Sequence, residues 1–420
     1  MKRTPKSSLG AAFNRMWGAS LSANLADGIM MAAAPLLAVT LTKNPVLISA
    51  MSGMVMLPWL FFAIPIGVLV DRLDRRRLLA SANATRFVVA VGVVSAVTSH
   101  TITIYELLLA AFIIGTCEVV ADTSSQSLIP QILQSDQFER GNSRLQISEQ
   151  VVQGFIGTPI SGFLYATAIF LPFAANGLCY AVAATLAIFI PVHFLQEHRE
   201  AKAPEVRPTF TSEMKFGLRY IAERPALRRL VLTTSAMGFF FSMSNATFVL
   251  FVLRTMHLRP ALYGALLTVE GIGAVLGGLA APKLSARFGR ARTMGVGITA
   301  SSFLTLAVAF SPNIYVFALL TMAELFAVSQ WNILLMSLYQ STIPSDLYGR
   351  IHGARRTLVW GLMPIGSLLG GVLAKHGLRM PYYVGGAMCA IMAVFSLRFL
   401  FTVGTTASGE TATSFDVVTN

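Results

Sequence analysis

Twelve blocks of about 20 or more mostly apolar residues follow one another along the chain and constrain its fold more than any other feature. A helix of about 20 apolar residues spans the roughly 30 Å hydrocarbon layer of a bilayer. The 420 residues are 55% hydrophobic and 12% charged, whereas soluble domains hold about 25% charged residues. This composition excludes a water-soluble enzyme. We expect membrane helices at roughly 17–41, 46–70, 77–98, 103–125, 143–168, 171–194, 228–253, 261–286, 292–310, 313–339, 350–374 and 381–402.

The basic residues fall on one side of this predicted topology. With a cytoplasmic N-terminus, 26 of the 32 lysines and arginines lie in or beside the inner loops. Short loops rich in lysine and arginine stay in the cytoplasm. We therefore predict that both termini are cytoplasmic. The formal net charge of +13 then needs no nucleic-acid partner.

Polar intervals divide the chain into five parts. We predict a cytoplasmic N-terminal segment over 1–16, a six-helix bundle over 17–194, a cytoplasmic linker over 195–227, a second six-helix bundle over 228–402 and a disordered cytoplasmic tail over 403–420. The linker contains a basic amphipathic run from Thr211 to Arg224, which is typical of a helix at the membrane surface. Asp27 interrupts the first apolar block, so we interpret this block as an uncleaved membrane helix rather than a signal peptide.

An internal repeat supports the two bundles. A shift of 215 residues places Arg72, Arg75 and Arg77 on Arg287, Arg290 and Arg292. Both basic runs join the second and third helices of their halves. We therefore predict an all-α integral membrane fold of two pseudo-symmetric six-helix bundles.

The loop between helices 2 and 3 carries a specific motif, GVLVDRLDRRRLL over 67–79. It resembles the loop signature of the major facilitator superfamily, G-x-L-x-D-R-x-G-R-R, and departs from it at Asp74, where the family usually has glycine. The matching residues are Gly67, Asp71, Arg72, Arg75 and Arg76. The resemblance implies the major facilitator fold and a transport function.

We interpret these motif residues as a cytoplasmic gate between the bundles. Gly67 allows helix 2 to approach a neighbour closely, and Asp71 can face the positive N-terminal end of helix 11. The alternative is that the arginines are solvated and only set the topology. That alternative explains neither Gly67 nor Asp71.

Helix 4 carries two acids one turn apart, Glu118 and Asp122. Asp122 lies near the cytoplasmic end and can pair with Arg75, whereas Glu118 lies about 6 Å further from that end. Arg86 on helix 3 has a similar predicted depth and is the expected partner of Glu118. We assign these residues to the gate, with direct proton coupling as the alternative.

Helix 5 contains GFIGTPISGFL over 154–164. Gly154, Gly157, Pro159 and Gly162 resemble the antiporter signature of the superfamily, G-x-x-x-G-P-x-x-G-G, with departures at Thr158 and Phe163. Glycines at this spacing permit a tight helix crossing, and proline loosens a helix. The resemblance implies export, while ordinary packing of small residues explains the glycines equally well.

Asp27 is the strongest single candidate for a proton- or substrate-binding residue, because it lies near the predicted midplane of the membrane. It shares a polar stripe of helix 1 with Ser20 and Asn24. A bare acid at this depth costs about 2.5–3.5 kcal/mol on insertion scales, so it should face a cavity or a partner. We predict that Asp27 binds a proton or a cationic substrate. A structural hydrogen bond is the alternative.

Three further acids fall inside predicted spans without an obvious basic partner at their depth: Glu149, Glu270 and Glu324. We expect Glu324 to be a second cavity carboxylate and Glu149 to lie nearer the inner mouth. Glu270 can instead hold helix 8 against helix 7. Asn24 and Asn245 complete the predicted proton and substrate site.

Further stretches resemble one branch of the superfamily. They are ANLADGIMMAAAPLLAVTLT (23–42), SLIPQIL (127–133) and ERGNSRL (139–145), and they are similar to bacterial exporters of macrolides, siderophores and multiple drugs. The resemblance implies proton-coupled efflux of a lipophilic small molecule by alternating access, performed by a monomer in the cell membrane. Proton-coupled uptake of a small metabolite and a non-transporting sensor of the same fold remain alternatives.

The sequence predicts no cofactor and no metal. No Gly-Lys pair is present, so there is no Walker A loop for ATP. Cys117, Cys179 and Cys389 lie inside apolar blocks and are interpreted as core residues. We expect the proton gradient to supply the energy, and the partners to be protons, a lipophilic substrate and the lipid bilayer.

Overall fold

A computed structural model describes residues 9–133, 137–138, 141, 144–145, 148–191, 210–343 and 347–406. Every regular element within these ranges is a helix. The predicted N-terminal segment lies outside the described residues up to position 8, as do linker positions 195–209 and tail positions 407–420. Residues 403–406, which the sequence assigned to the tail, are instead the last residues of a helix.

The first half of the chain contains α1 (Gly10–Leu41), α2 (Pro45–Phe61), α3 (Ala63–Arg72), α4 (Arg75–Thr98) and α5 (Ile104–Ile132). A π-helix over Glu149–Gly157 runs directly into α6 (Thr158–Thr167), and α7 (Leu171–Ile188) follows. α4 packs against both α5 and α7. This central position of α4 matters for the site described below.

The second half begins with α8 (Phe210–Glu223) and α9 (Pro225–Asn245). Short turns over Phe248–Leu250, Phe251–Thr255 and Pro260–Leu262 lead to α10 (Tyr263–Phe288). α11 (Arg290–Val308), α12 (Ile314–Thr342), α13 (Tyr348–Leu373) and α14 (Met380–Thr406) complete it. α11 packs against α12 and α14. α4 and α11 each correspond to the third predicted span of their half, and each contacts the helices of the fourth and sixth spans.

Ten helices of the described chain are long and apolar enough to cross a membrane. The other two predicted spans are interrupted helices. One is divided at Phe62 into α2 and α3, because Pro65 has no N–H to donate to the carbonyl one turn earlier. The other is divided into the π-helix and α6 next to Pro159. Counting each divided pair as one span gives the twelve expected from the sequence.

The internal repeat extends to the turn before the third long helix. α4 begins at Arg75 and α11 at Arg290, which preserves the 215-residue shift. Before α4, the Asp74 carboxylate accepts hydrogen bonds from the backbone N–H groups of Arg76 and Arg77. At the equivalent position before α11, Gly289 has a positive φ of 86°. The departure from the signature at Asp74 therefore exchanges a glycine turn for a side-chain cap.

The described residues form two compact units. The first contains the residues up to Ala34 and those from Phe61 to 191, and the second contains Pro35–Leu60 and the residues from Phe210 onward. Phe13 and Leu128 belong to the buried core of the first unit. Leu230 and Tyr339 belong to the buried core of the second unit.

The stretch Pro35–Leu60 precedes the linker but packs within the second unit. Ser367 on α13 donates a hydrogen bond to the Ser49 carbonyl oxygen at 2.9 Å. The Trp59 and Trp360 rings meet edge to face, with centroids 5.7 Å apart. The bundle predicted over 17–194 includes this stretch, so the predicted bundle and the compact unit differ there.

α8 matches the position of the predicted amphipathic run. It packs against α13, and Ile221 is buried while Phe216 is exposed. Arg219 donates a hydrogen bond to Glu223 on the exposed face, and this contact raises the pKa of the Arg219 guanidinium. One apolar face therefore contacts protein and the opposite face is charged.

Candidate functional site

Four helices of the first unit bring charged and polar side chains together around Arg86. Asp27 comes from α1, Arg86 from α4, Glu118 from α5 and Tyr180 from α7. Arg86 Nη1 lies 3.7 Å from Asp27 Oδ2, and Nη2 lies 3.9 Å from Glu118 Oε2. The Tyr180 hydroxyl donates to Asp27 Oδ1 at 2.6 Å. We call these four residues the Arg86 cluster.

Burial differs sharply within the Arg86 cluster. The Arg86 side chain is 1% exposed, while Asp27 and Glu118 are 15% and 28% exposed. Arg86 Nε donates to the Ile114 carbonyl oxygen at 3.3 Å, and its guanidinium carbon lies 5.1 Å from the centre of the Tyr180 ring. The positive charge is therefore enclosed by protein, while both carboxylates retain access to open space.

The Arg86 cluster joins residues that the sequence analysis placed in two separate sites. Asp27 was expected to face a cavity or a partner, and Arg86 lies within ion-pair distance of it. Arg86 also lies near Glu118, its expected partner, so the two residues that were assigned to the gate share a cluster with Asp27. The reason is the packing of α4 against both α5 and α7, which lets one long side chain contact groups from several helices.

Two residues of α7 were missed by the sequence analysis. Tyr180 is fully buried and hydrogen-bonded to Asp27, and Asn176, one turn earlier, donates to the Ala26 carbonyl oxygen at 2.8 Å. Polar residues four positions apart share one face of a helix. This pair on an otherwise apolar helix was the signal that could have identified them.

Asn24 and Glu149 are the other predicted proton- and substrate-site residues of the first unit. Asn24 donates to the Ser20 hydroxyl at 3.3 Å, so the predicted stripe on α1 has a hydrogen bond of its own. Glu149 is the exposed first residue of the π-helix.

In the second unit, Glu324 is buried, and one of its carboxyl oxygens lies within hydrogen-bonding distance of the Thr305 hydroxyl. The Asn245 side chain donates to the Phe241 carbonyl oxygen at 3.1 Å. One carboxylate oxygen of Glu270 is buried and has no hydrogen-bond partner within the described part of the chain. Neither Glu270 nor Glu324 forms a salt bridge with a described residue, in contrast to Asp27.

The described contacts of the gate candidates lie within the first unit. Arg75 donates to the Ser127 carbonyl oxygen at 3.4 Å. Arg76 donates to the carbonyl oxygens of Ile188 and Ile190, each at 3.2 Å, where α7 ends. A cation at the C-terminal end of a helix is favourable because the last carbonyl groups lack intrahelical donors.

The remaining gate candidates differ in exposure. Arg72 is exposed, and Gly67 and Asp122 are half-buried. The side chain of Asp71 lies outside the described residues. The eleventh predicted span corresponds to α13 in the structure. The pairing of Asp71 with the start of this helix therefore stays a prediction.

The glycine and proline motif over 154–164, predicted for helix 5, lies in the π-helix and α6. This segment crosses α1 closely. A Cβ atom added to Gly157 would lie 2.8 Å from the Cα of Gly28, and one added to Gly28 would lie 2.9 Å from the Cα of Gln153. Gly154 has open space around it, and Gly162 is buried. The contact therefore depends on Gly28 and Gly157, and Gly28 was not singled out from the sequence.

The same motif contains a widened helical turn. Pro159 cannot donate a backbone hydrogen bond, and the π-helix ends two residues before it. The Thr158 hydroxyl donates to the Gly154 carbonyl oxygen at 2.7 Å. A side chain thus supplies a donor in the turn where proline removes one.

Metal binding finds no support in the part of the chain that the structure describes. No group of three or more His, Cys, Asp or Glu side chains lies together there. Cys117, Cys179 and Cys389 are free thiols.

Ten apolar helices of membrane-spanning length, with a buried charge cluster among them, are typical of a multi-pass membrane protein. The chain belongs to the transmembrane secretion effector family of the major facilitator superfamily, whose model matches residues 7–417. This confirms the resemblance read from the motif at 67–79. The family consists of membrane transporters rather than enzymes.

Curated relatives are similar at low identity. Macrolide efflux protein A of Streptococcus pyogenes is 20% identical over 91% of this chain and 94% of its own length. The multidrug efflux pump Tap of Mycolicibacterium fortuitum is 24% identical over 90% of this chain and 94% of its own length. An uncharacterized MFS-type transporter of Bacillus subtilis, YvqJ, is 24% identical over 66% of this chain, which spans 65% of that relative.

Solved structures share the fold. A bacterial homologue of the iron transporter ferroportin, in an inward-facing state, superposes with a TM-score of 0.72 at 16% identity. The match covers 94% of this chain and 100% of that one. At this identity the similarity shows the fold alone.

Proposed function

We propose that this transporter exports a lipophilic small molecule in exchange for protons by alternating access. The Arg86 cluster is the observation that carries the proposal. Asp27, Glu118 and Arg86 together have a net charge of −1 when all three are ionised. One proton or one cationic substrate makes the cluster neutral, and buried groups favour neutrality because charge is costly away from water.

A proton and the substrate compete for this single negative charge, and this competition couples export to proton entry. The exposed edges of Asp27 and Glu118 are open to an incoming proton or cation, while Arg86 stays enclosed and holds both carboxylates in place. A proton bound from outside displaces the cargo, and release of that proton inside restores the binding state. The membrane potential adds about 2.3 kcal/mol per elementary charge per 100 mV.

The exporting direction is supported by two curated relatives whose names specify efflux. The positive-inside pattern supports cytoplasmic termini, and we propose a monomer in the cell membrane with its inner side closed by Asp71, Arg75 and Asp122. Glu324, Glu149, Asn24 and Asn245 are proposed to contribute polar contacts to the transport path.

The test is proton-driven transport by the purified protein in vesicles. Inverted vesicles with an acidic lumen should accumulate ethidium, and Asp27→Asn should abolish this accumulation because the cluster is then neutral without a proton. Glu106→Gln is the matched control, since Glu106 is an exposed helix-capping acid whose role glutamine can fill.

Three results would contradict the proposal. Flux in the opposite direction, following the proton, would indicate an uptake symporter. Unchanged coupled flux in Asp27→Asn would separate transport from the Arg86 cluster. Absence of any response to the pH difference in the wild type would indicate a sensor or an uncoupled carrier.

A further inference from the structure

The second unit contains a partly open cavity that is separate from the Arg86 cluster. Its volume is about 230 Å³, and its walls come from α9, α11, α12, α13 and α14. Phe241, Trp331 and Trp360 provide aromatic surface. Ser302, Thr305 and Asn332 provide polar groups.

The volume restricts the size of an occupant. Drug-sized ligands occupy pockets of about 300–1,000 Å³, and a dry cavity of about 150 Å³ accepts benzene. The observed 230 Å³ lies between these values, which fits a molecule of two fused rings. Flat aromatic walls favour an aromatic occupant because rings stack or meet edge to face.

Thr305, one of the polar lining residues, has an informative hydrogen-bond arrangement. Thr305 Oγ1 lies 3.0 Å from the Ser301 carbonyl oxygen and within hydrogen-bonding distance of Glu324 Oε1. A hydroxyl group has one proton, so two acceptors would compete for it if Glu324 were ionised. A protonated Glu324 donates to Thr305 while Thr305 donates to Ser301, and both contacts are satisfied. The geometry therefore favours an uncharged Glu324 carboxyl group beside Thr305.

The charge around the cavity disfavours a cationic occupant. The lining residues that the structure describes include no charged side chain. The Arg356 guanidinium carbon lies 4.2 Å from the centre of the Trp360 ring and 3.9 Å from that of Trp59. This face of the Trp360 ring is therefore already occupied by a cation, and a charged occupant of either sign would find no counter-charge among the described lining residues.

We infer that this cavity is a binding site for an uncharged aromatic molecule of about two fused rings, with Thr305 and Asn332 as hydrogen-bonding groups in its wall. The site rests on the geometry of the second unit. Its role as a cargo site rests on the proposed export function. A whole macrolide exceeds this volume.

The test is equilibrium binding of tritiated 1-naphthol to the full-length protein in lipid nanodiscs. We expect one saturable site. The cationic 1-naphthylmethyl-trimethylammonium and the anionic 1-naphthoate should each bind at least about tenfold more weakly, equivalent to about 1.4 kcal/mol. Erythromycin should not compete.

Matched variants locate the site. Val328→Phe fills the cavity from α12 and should weaken 1-naphthol binding at least about tenfold. Val316→Phe makes the same change at an exposed position of α12 and should leave binding unchanged. If Val328→Phe elutes as aggregate, Val359→Phe fills the cavity from α13 instead. Equal binding by the filled and control variants, or tighter binding of the cation, would overturn the inference.

The two proposals fail in different ways. Asp27→Asn should keep 1-naphthol binding while it loses proton-driven ethidium flux. If the wild type binds 1-naphthol and moves no compound along the pH difference, the export proposal fails and the site stands. If ethidium is exported and filling the cavity leaves 1-naphthol binding intact, the site fails and export stands. Ethidium export without movement of bound 1-naphthol would overturn its role as cargo.

Discussion

At the scale of single residues, Arg86 determines how the first unit tolerates its buried acids. Its side chain is 1% exposed and lies within 4 Å of carboxylate oxygens from two different helices. Enclosing a charge is costly, and removal of one partner leaves the other charges uncompensated. The structure of this region therefore depends on Arg86 more than on either acid.

We predict that Arg86→Met destabilises the protein by about 3–5 kcal/mol, because Asp27 and Glu118 then lose their buried counter-charge and repel each other. Thermal unfolding in detergent would measure this as a lower midpoint. Adding Asp27→Asn to the same chain should recover part of the loss.

The control for that measurement is Arg77→Met. The Arg77 side chain is 81% exposed and lies 3.6 Å from Asp74, and such surface pairs contribute about 0–1 kcal/mol. Equal shifts for the two arginine variants would contradict the assignment of Arg86 as the buried counter-charge.

The sequence identified the charged members of the Arg86 cluster but not their arrangement. Asp27, Glu118 and Arg86 stand out because each interrupts an apolar helix. Which of them meet depends on how α1 and α5 are rotated against α4, and helical spacing within one segment carries no such information. Tyr180 was missed because a tyrosine in an apolar helix has many ordinary packing roles.

At the scale of helices, the crossing of α1 with the helix-5 motif is the tightest contact that the described glycines reveal in the first unit. Gly28 and Gly157 face each other with backbone atoms close enough to exclude a methyl group. The contact joins the segment beside Asp27 to the widened turn before Pro159.

We predict that Gly28→Ala destabilises the protein by about 1–3 kcal/mol, the usual cost of forcing extra volume into a packed site. Gly154→Ala is the matched control because nothing lies within 4 Å of its added Cβ. It should change stability by about 1 kcal/mol or less, in the stabilising direction, because alanine favours helix more than glycine. Thermal midpoints of the two variants would decide. A larger loss for Gly154→Ala would refute the crossing.

Helix ends were predictable where a capping residue marks them. Thr103 and Glu106 form a reciprocal capping box at the start of α5, and Asp74 caps α4. The π-helix over Glu149–Gly157 was not predictable, because π-helices are rare insertions within α-helices and an apolar block predicts an α-helix. The proline at 159 indicated only that the helix is perturbed.

At the scale of the whole molecule, the distribution of lysine and arginine predicts which ends face the cytoplasm. The turn between α3 and α4 carries the basic motif, whereas the turn between α4 and α5 at Ser99–Thr103 has no lysine or arginine. These two turns lie at opposite ends of α4.

We predict that Leu73→Cys is protected from a membrane-impermeant maleimide in intact cells and that His100→Cys is labelled. Both positions are exposed at turns of the first unit. The background chain would have its three native cysteines replaced. Permeabilising the cells should make both positions reactive, and the reverse pattern in intact cells would invert the topology.

The placement of Pro35–Leu60 in the second unit has a practical consequence for dissecting the protein. Severing the polypeptide in the linker would leave Ser49 and Trp59 on one fragment and their partners on α13 on the other. Neither fragment would carry a complete set of packing partners. Expression of the two pieces from separate genes should therefore succeed only when both are synthesised in the same cell.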